Sequence, residues 1–472
     1  MEEIHKTFRP WDAAANATRL YSPASELPED ELVFFLLETV PQLNLSAFYS
    51  QYAETRGAPP FDVELMCTLL AYSYCVGVFS SRKIAAACER NLAFKAIVGS
   101  DPPDFRTISD FRKLHLDAFG DLFIEVLRLA GELRMVKLGN LALDGSKFNA
   151  DASRHKAMSY GYMTKEVERL RGEIDELLKR AGQADAEEDA VLGSRRGDEL
   201  PEELKRREDR LAAISEAMSR LEEQARRRAD AQRARREADD AQREAEGKKR
   251  RGPTPAPVTE TPEDKAQTNF TDPDAKIMKR ANKGFDYCYN AQAVVDEEHQ
   301  IIVGAEATAD ANDKQQAVPM VEATLETLQQ AGIDRPTEGD APDAAPQSIP
   351  ISMDSGYFSE EAVGELELLP VDPHVATGRQ KHNTPPSDDG TDEPAGDANA
   401  KERMAHKLRT PAGRACYAKR KQIVEPVFGQ MKHVRGFRQF LLRGLNKVRA
   451  EWKLICLTHN LLKIWRHQCA LS

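Results

Sequence analysis

Three acidic residues set far apart in the chain, Asp144, Asp354 and Glu425, have surroundings that suit them to chemistry. Hydrolysing or transferring a phosphodiester calls for two hard divalent cations about 3.5 to 4 Å apart, one activating the attacking oxygen and one stabilising the leaving oxygen. Carboxylates are the ligands such cations take. Acids that can converge on them sit at strand ends, or on a helix laid against a sheet.

Asp144 ends a run in which Leu141 and Leu143 flank Ala142, with Gly145 and Ser146 following. This reads as a strand entering a turn, although an ordinary Asp-Gly turn is the simpler account of the pair in isolation. Asp354 follows Ile349, Pro350, Ile351, Ser352 and Met353 and precedes Ser355, Gly356, Tyr357 and Phe358. Its carboxyl therefore falls at the C-terminal edge of a strand, where mixed sheets assemble sites, and a helix cap would look the same. Around Glu425, a layout at about 100° per residue puts Lys421, Gly429 and Lys432 on its own side and Ile423, Val427 and Val434 opposite. A surface salt-bridge ladder shares that periodicity. Pro426 has no N–H, so it leaves the Gln422 carbonyl without its helical donor and bends the axis beside Glu425. Gly429 removes bulk where a phosphate backbone would approach. Asp286, Asp296, Asp310 and Asp313 fall in turns or helix caps and are read as such; His433 and His459 are read as packing residues or phosphate contacts.

The elements that must position these acids follow from periodicity. Residues 1–135 read as helical, with apolar positions three and four apart in 32–37, 65–72 and 119–129. Ser80 to Lys83, after Gly77, reads as a capped helix start, and Thr107 to Lys113 as another with basic residues in its first turns. A helix-turn-helix lays its second helix in a major groove from such an arrangement, which makes Arg82, Lys83 and Arg112 candidate DNA contacts; small helical domains that never meet DNA look alike. A strand follows at 138–149. Met163, Val167, Leu170, Ile174 and Leu177, then Leu211, Ile214, Met218, Leu221 and Ala225, keep coiled-coil spacing. They predict an antiparallel helical hairpin whose tail, 226–251, is frayed helix passing into a linker. Strands are expected at 287–295 and 300–305, paired as a hairpin, then at 349–353 and 371–376, with a helix over 313–330. Residues 333–347 and 378–400 read as loops, and 414–465 as helix. The order β-ββ-α-β-α-β with one insertion is that of a mixed sheet flanked by helices.

Composition narrows the class. Of 472 residues, 41% are hydrophobic and 30% charged, which suits a globular α/β protein with long solvated helices and more than one structural unit. No basic segment followed by an apolar run opens the chain, and the greasiest stretch, 32–40, is too short to span a bilayer, so a cytoplasmic location is expected. Seven cysteines without a C-x-x-C pair argue against a disulfide framework and a zinc ribbon. The net charge of −11 hides a strong asymmetry: residues 401–472 carry 17 Lys+Arg against 3 Asp+Glu, and 332–400 carry 3 against 15. The basic end suits a polyanion.

Three segments, 141–146 around Asp144, 352–358 around Asp354 and 417–432 around Glu425, resemble the catalytic blocks of DDE transposases from bacterial insertion sequences. Residues 269–274, 284–296 and the stretch ending at 107–112 resemble further blocks of one subgroup. In related transposases a tyrosine and an arginine precede the glutamate, and a lysine follows it with six residues between. Tyr417, Arg420 and Lys432 match, except that four residues rather than three separate Arg420 from Glu425.

The resemblance implies an RNase H-like sheet, with Asp144 on its first strand, Asp354 after its fourth and Glu425 on a following helix, and the helical hairpin inserted between the first and second strands. It implies a helical N-terminal DNA-binding or assembly domain at 1–135, a catalytic domain beginning at 136–160, the hairpin and linker at 161–265, and the rest of the catalytic domain with basic helices at 266–472. The three acids would bind two Mg²⁺ ions, replaceable by Mn²⁺. Tyr417, Arg420, Lys421, Lys432, Arg435 and Arg438, with Arg443 and Lys447, would line a basic track on double-stranded DNA, both the terminal inverted repeats and the target. A homodimer or higher oligomer on DNA, associated with the nucleoid, is expected. Rival readings are a transposase-derived DNA-binding protein that no longer cuts, a nuclease of the same fold without strand transfer, and a structural coiled-coil protein; the strands and basic tail have no task in the last.

Overall fold

The computed structural model describes residues 23–52, 59–192, 202–245, 247, 256–280, 284–335, 347–378 and 398–471. Apolar side chains at helical spacing fold the N-terminal region into α1 (Leu32–Thr39), α2 (Ser46–Tyr49), α3 (Val63–Cys75), α4 (Ser81–Arg90), α5 (Leu92–Val98), α6 (Phe105–Leu114) and α7 (Ala118–Glu132). Asp62, Asn91 and Asp104 each accept a first-turn backbone N–H, a cap whose loss typically costs about 1 kcal/mol. Two helix starts differ from expectation. α6 begins at Phe105, so Arg112 and Lys113 close it instead of fronting it, and Ser80 precedes α4 without a side-chain cap bond.

The chain then forms β1 (Leu141–Asn149) and runs through β2 (Ala157–Ser159), α8 (Tyr160–Leu192), α9 (Glu202–Ala245) and β3 (Gln267–Asn269). It returns as β4 (Lys276–Lys279), β5 (Phe285–Asp296), β6 (Ile302–Thr308), α10 (Ala317–Gln330), β7 (Ile349–Met353), α11 (Glu360–Leu366), β8 (Val371–Val375), α12 (Ala400–Lys407), α13 (Pro411–Gly429) and α14 (Leu445–Leu471). The sheet is mixed. β1 is antiparallel to β5, with Asp144 opposite Ala293, and parallel to β7, with Leu143 opposite Met353. β8 lies parallel beyond β7, while β6 and β4 both pair with β5. The alternation that marks β5 in the sequence does not translate into one wet face, because Tyr287 to Asp296 are buried throughout. Helices pack over this sheet: α10 and α14 against β6, and α13 against β1, β5 and β7.

α14 also packs against α3 and α7, and residues 65–75 of α3 are all buried. The Trp452 ring is fully buried and its Nε1 donates to the Gln292 carbonyl at 2.9 Å. Burying large apolar side chains of this kind contributes about 1.5–3 kcal/mol each. Charge enters this core only with partners. Glu451, 1% exposed, accepts the Leu441 and Leu442 N–H groups at 2.8 and 3.0 Å and the Tyr74 hydroxyl at 3.3 Å. The Asn460 side chain both accepts from the Ile302 N–H and donates to its carbonyl, standing in for a strand beside the irregularity at Val294 and Val295. Residues 1–151 and 277–472 together make one compact unit, and 152–276 another.

In the second unit α8 and α9 pack through Met163, Val167, Leu170, Ile214, Ala217 and Leu221, with Met158, Tyr160 and Phe270 against them. The spacing of these residues announced this hairpin. Its tail corrects the expectation of frayed helix: α9 stays helical to Ala245, with Arg227 to Glu223, Arg233 to Asp230 and Arg243 to Asp240 pairs one turn apart. Residues 248–255, expected as linker, and most of the expected loops at 333–347 and 378–400 lie outside the described residues.

Candidate active site

Asp144 lies one residue past the last β1–β7 pair, Leu143 opposite Met353, and Asp354 is the next residue on the β7 side. The two residues therefore sit at one level on neighbouring strands, but β1 does not turn at Asp144 as expected: it stays paired with β5 through Asn149. The Asp144 side chain is 22% exposed and sits 3.2 Å from the Arg420 guanidinium. Burial pushes its carboxyl up to about 6, and the charge of Asp354 adds to the rise, while Arg420 and the Gly145 N–H act against it. Asp354 Oδ1 accepts the Gly356 N–H at 2.8 Å, which closes the turn after β7. Gly145 is needed beside them because a Cβ there would run into the Gln292 amide and come within 2.9 Å of Asp313 Oδ1.

The third predicted acid, Glu425, lies on α13. The helix N-terminus is capped by Thr410, whose hydroxyl accepts the Gly413 N–H. Ile423, Val424, Val427 and Phe428 are buried, whereas Lys421 and Glu425 are exposed. Val434, expected on the buried side, is 75% exposed. The cause is a π-helical turn over Gln430–Val434 that advances the helix past its regular register. Pro426 leaves the Gln422 carbonyl open as predicted, and the Gln300 amide fills the gap, donating at 2.9 Å. Among the described residues, no group of three or more His, Cys, Asp or Glu side chains is set to hold a metal ion.

The basic residues divide into three groups. Lys432 turns back onto β1, donating to Ser146 Oγ at 2.5 Å and the Lys147 carbonyl at 3.0 Å, with its ammonium 4.3 Å from the Phe148 ring centre. Burial lowers it to about 8, helped by the charge of Arg280. Lys421, Arg438, Arg82 and Lys83 are exposed; Arg438 donates to the Lys432 carbonyl and Arg82 stacks 5.2 Å from the Phe105 ring centre. Arg443, also exposed, pairs with Asp151.

Three of the expected DNA contacts are corrected. Arg112, 4% exposed, donates to the Tyr74 hydroxyl, the Phe79 carbonyl and Ser81 Oγ. Arg435, 5% exposed, is held by the Tyr74 and Ile455 carbonyls and Thr458, under a turn where a Cβ on Gly77 would lie 2.5 Å from the Arg435 carbonyl oxygen. Arg420 is 7% exposed and its charge faces Asp144 and the Tyr417 hydroxyl. These guanidiniums are spent inside the protein. His459 is a packing residue, 1% exposed between Gln430 and the Gln300 carbonyl.

Asp313, read from sequence as a turn residue, does form a turn before α10, accepting the Gln316 N–H on its carbonyl. Its side chain nevertheless stands at the site. Oδ1 accepts from Asn290 at 2.6 Å and Gln292 at 2.8 Å, and a Cβ on Gly356 would lie 2.9 Å from Asp354 Oδ1 and 3.6 Å from Asp313 Oδ2. The Tyr357 hydroxyl donates to Gln292 Oε1. Burial raises that hydroxyl well above its ordinary range, and Asp313, Asp144 and Asp354 all add to the rise. The amide pair Asn290 and Gln292 on a buried strand was the signal available in the sequence, since buried amides call for partners.

Comparison with known protein families gives two matches. A "Transposase domain (DUF772)" model matches residues 22–114, spanning α1 to α6. A "Transposase DDE domain" model matches residues 393–465, spanning α12, α13 and most of α14, with Arg420, Glu425 and Lys432 inside it. Neither a curated protein nor a solved structure matches the chain. No helix among the described residues is long and apolar enough to cross a membrane. DDE transposases act on DNA and generally use a divalent metal. A transposase domain near one end and a transposase DDE domain near the other support a DDE transposase of the insertion-sequence type.

Proposed function

We propose that this transposase binds the ends of its insertion sequence, cleaves DNA there and joins the freed end to a target. The observation that carries this reading is the juxtaposition of Asp144, midway along β1, and Asp354, just past the end of β7, on adjacent parallel strands, under a helix that contributes Arg420 to the first of them. The sheet order supports an RNase H-like core: apart from the short β4, the strands in chain order are β1, β5, β6, β7 and β8, and β1 lies at the centre between β5 and β7. Asp144 on the first of these, Asp354 after the fourth and Glu425 on a later helix are the positions such a core would use. Residues 136–160 and 266–472 would then be the catalytic domain, 161–265 the hairpin insertion, and 1–135 the part that engages DNA or other protomers.

Asp144 and Asp354 would hold a divalent cation, preferably Mg²⁺, and Glu425 would complete the set. The donor types fit, because hard cations take carboxylate oxygens and a positive charge offsets the mutual repulsion that helps raise Asp144. Such cations supply charge stabilisation to the attacking and leaving oxygens of a phosphodiester. Arg420 keeps Asp144 ionised and oriented. Lys432, packed on Phe148 beside Ser146, presents positive charge along β1 next to the acid pair. Exposed Lys421, Arg438, Arg82 and Lys83 would neutralise phosphates of element ends and target, with the open space around Gly429 admitting the backbone.

Incubation with Mg²⁺ and DNA carrying the ends of the element that encodes the chain tests the reading. Wild type should nick at the ends and join them to target, and Asp354→Asn should do neither while still retarding end DNA. Cleavage retained by Asp354→Asn would remove Asp354 from the site. Nicking without joined product would favour a nuclease of the same fold, and end binding without nicking would favour a DNA-binding relative that no longer cuts.

A further inference from the structure

We infer that Asp313 is a positioning residue of the active site, acting on the Asp354 turn through Gln292 and Tyr357. This rests on the proposed role of Asp354. Asp313 Oδ1 receives two amides from one face of β5, Asn290 Nδ2 at 2.6 Å and Gln292 Nε2 at 2.8 Å. A side-chain amide held by its N–H end has its carbonyl end aimed the other way, and Gln292 Oε1 accepts the Tyr357 hydroxyl. Gln292, 0% exposed, and Tyr357, 1% exposed, have no water with which to exchange these bonds. Tyr357 lies three residues after Asp354, and its N–H donates to the Asp354 carbonyl at 3.3 Å. One continuous path of hydrogen bonds thus runs from the turn before α10, across β5, to the turn that aims the Asp354 carboxylate.

Two further features show that the path is built in. Without Asp313, nothing in the set distinguishes the two ends of the Gln292 amide, and a flipped amide would present N–H to the Tyr357 oxygen. Burial, and after it the neighbouring acids, keep the Tyr357 hydroxyl protonated, so it stays a donor. The glycines on either side, Gly145 and Gly356, leave the space that the Asp313 and Asp354 carboxylates occupy. Partners that orient the groups around a metal-type site typically matter about 10–100-fold in activity.

The test compares Asp313→Ala, Asp313→Asn, Gln292→Ala, the Asp313→Ala/Gln292→Ala double variant and Asp354→Asn with wild type, in single-turnover cleavage of end DNA at saturating DNA and Mg²⁺. Thermal melts and end-DNA affinity are read alongside. Asp313→Ala should cleave about 10–100-fold more slowly with end-DNA affinity unchanged, and the double variant should be no slower than the slower single one, because both remove the same path. Asp313→Asn, which keeps an acceptor oxygen for the two amides, should recover a substantial part of the rate. The inference is overturned if Asp313→Ala matches wild type while Asp354→Asn is inactive, if the two alanine effects multiply, or if Asp313→Asn is as slow as Asp313→Ala, which would mean that charge and not positioning matters. Cleavage by Asp354→Asn overturns the reading of the site itself, and the inference with it.

Discussion

At the scale of single residues, one extra position explains how Arg420 and Glu425 part company. Five residues along a helix turn the direction by about 500°, leaving the two side chains about 140° apart. Arg420 accordingly points inward to Asp144 while Glu425 is exposed. Burial of Asp144, opposed by the Arg420 charge, sets a pH dependence. A cation needs the ionised carboxylate, and in the fold Asp144 titrates at about 6, well above its ordinary 3.8. Affinity for Mn²⁺ should therefore fall as pH drops through about 6, approaching a tenfold loss per pH unit below it. In Arg420→Ala, stripped of the neighbour that favours ionisation, the fall should begin at higher pH. Calorimetric titrations across pH would check this; coincident profiles for the two proteins would show that Arg420 does not tune the acid.

Among the elements, those legible in the sequence were the ones whose packing is decided locally. The apolar alternation of β1, the paired runs of β5 and β6, the short apolar β7 and β8, and the coiled-coil spacing of α8 and α9 all carry their pattern within a few residues. What escaped depends on distant partners. Arg112 looks like surface charge until Tyr74 comes to meet it, Arg435 is caught by a carbonyl 361 positions away, and Asp313 reaches the site only because β6 pairs beside β5. The π-helical turn that exposes Val434 has no marker in periodicity at all. α6 ends in another such long-range arrangement. His115 is enclosed by Phe48, Phe111 and Tyr52, with Nε2 on the Tyr52 hydroxyl and no hydrogen-bond partner on Nδ1. Burial lowers it to about 4, so the unfolded chain, titrating near 6.5, takes up the proton first. Its contribution to stability is whole above about 6.5 and is lost as pH falls towards 4. His115→Phe should shrink the loss of urea stability between those pH values; an unchanged pH dependence would exclude His115 as its source.

For the molecule as a whole, the division into two compact units gives each its own core. Every tryptophan, Trp11, Trp452 and Trp465, falls outside residues 152–276, so fluorescence follows the first unit and circular dichroism follows both. Leu170, 1% exposed in the hairpin core, should cost about 2–5 kcal/mol when replaced by alanine. The circular dichroism transition should shift to lower denaturant in part, and the fluorescence midpoint should stay where it was. Joint movement of both signals would show that the units unfold together. Within the first unit, the proline in α13 has a reach beyond its own helix. Gln300 sits at φ +57° in the β5–β6 connection, gives its amide to Gln422, takes the Lys463 ammonium on its side-chain oxygen at 2.8 Å and offers its carbonyl to His459. A hairpin, the helix bearing Glu425 and the C-terminal helix are thereby knotted at one side chain. If Glu425 is to join the two aspartates as proposed, its swing would have to pull on that knot, which would make the β5–β6 connection the restraint on its reach.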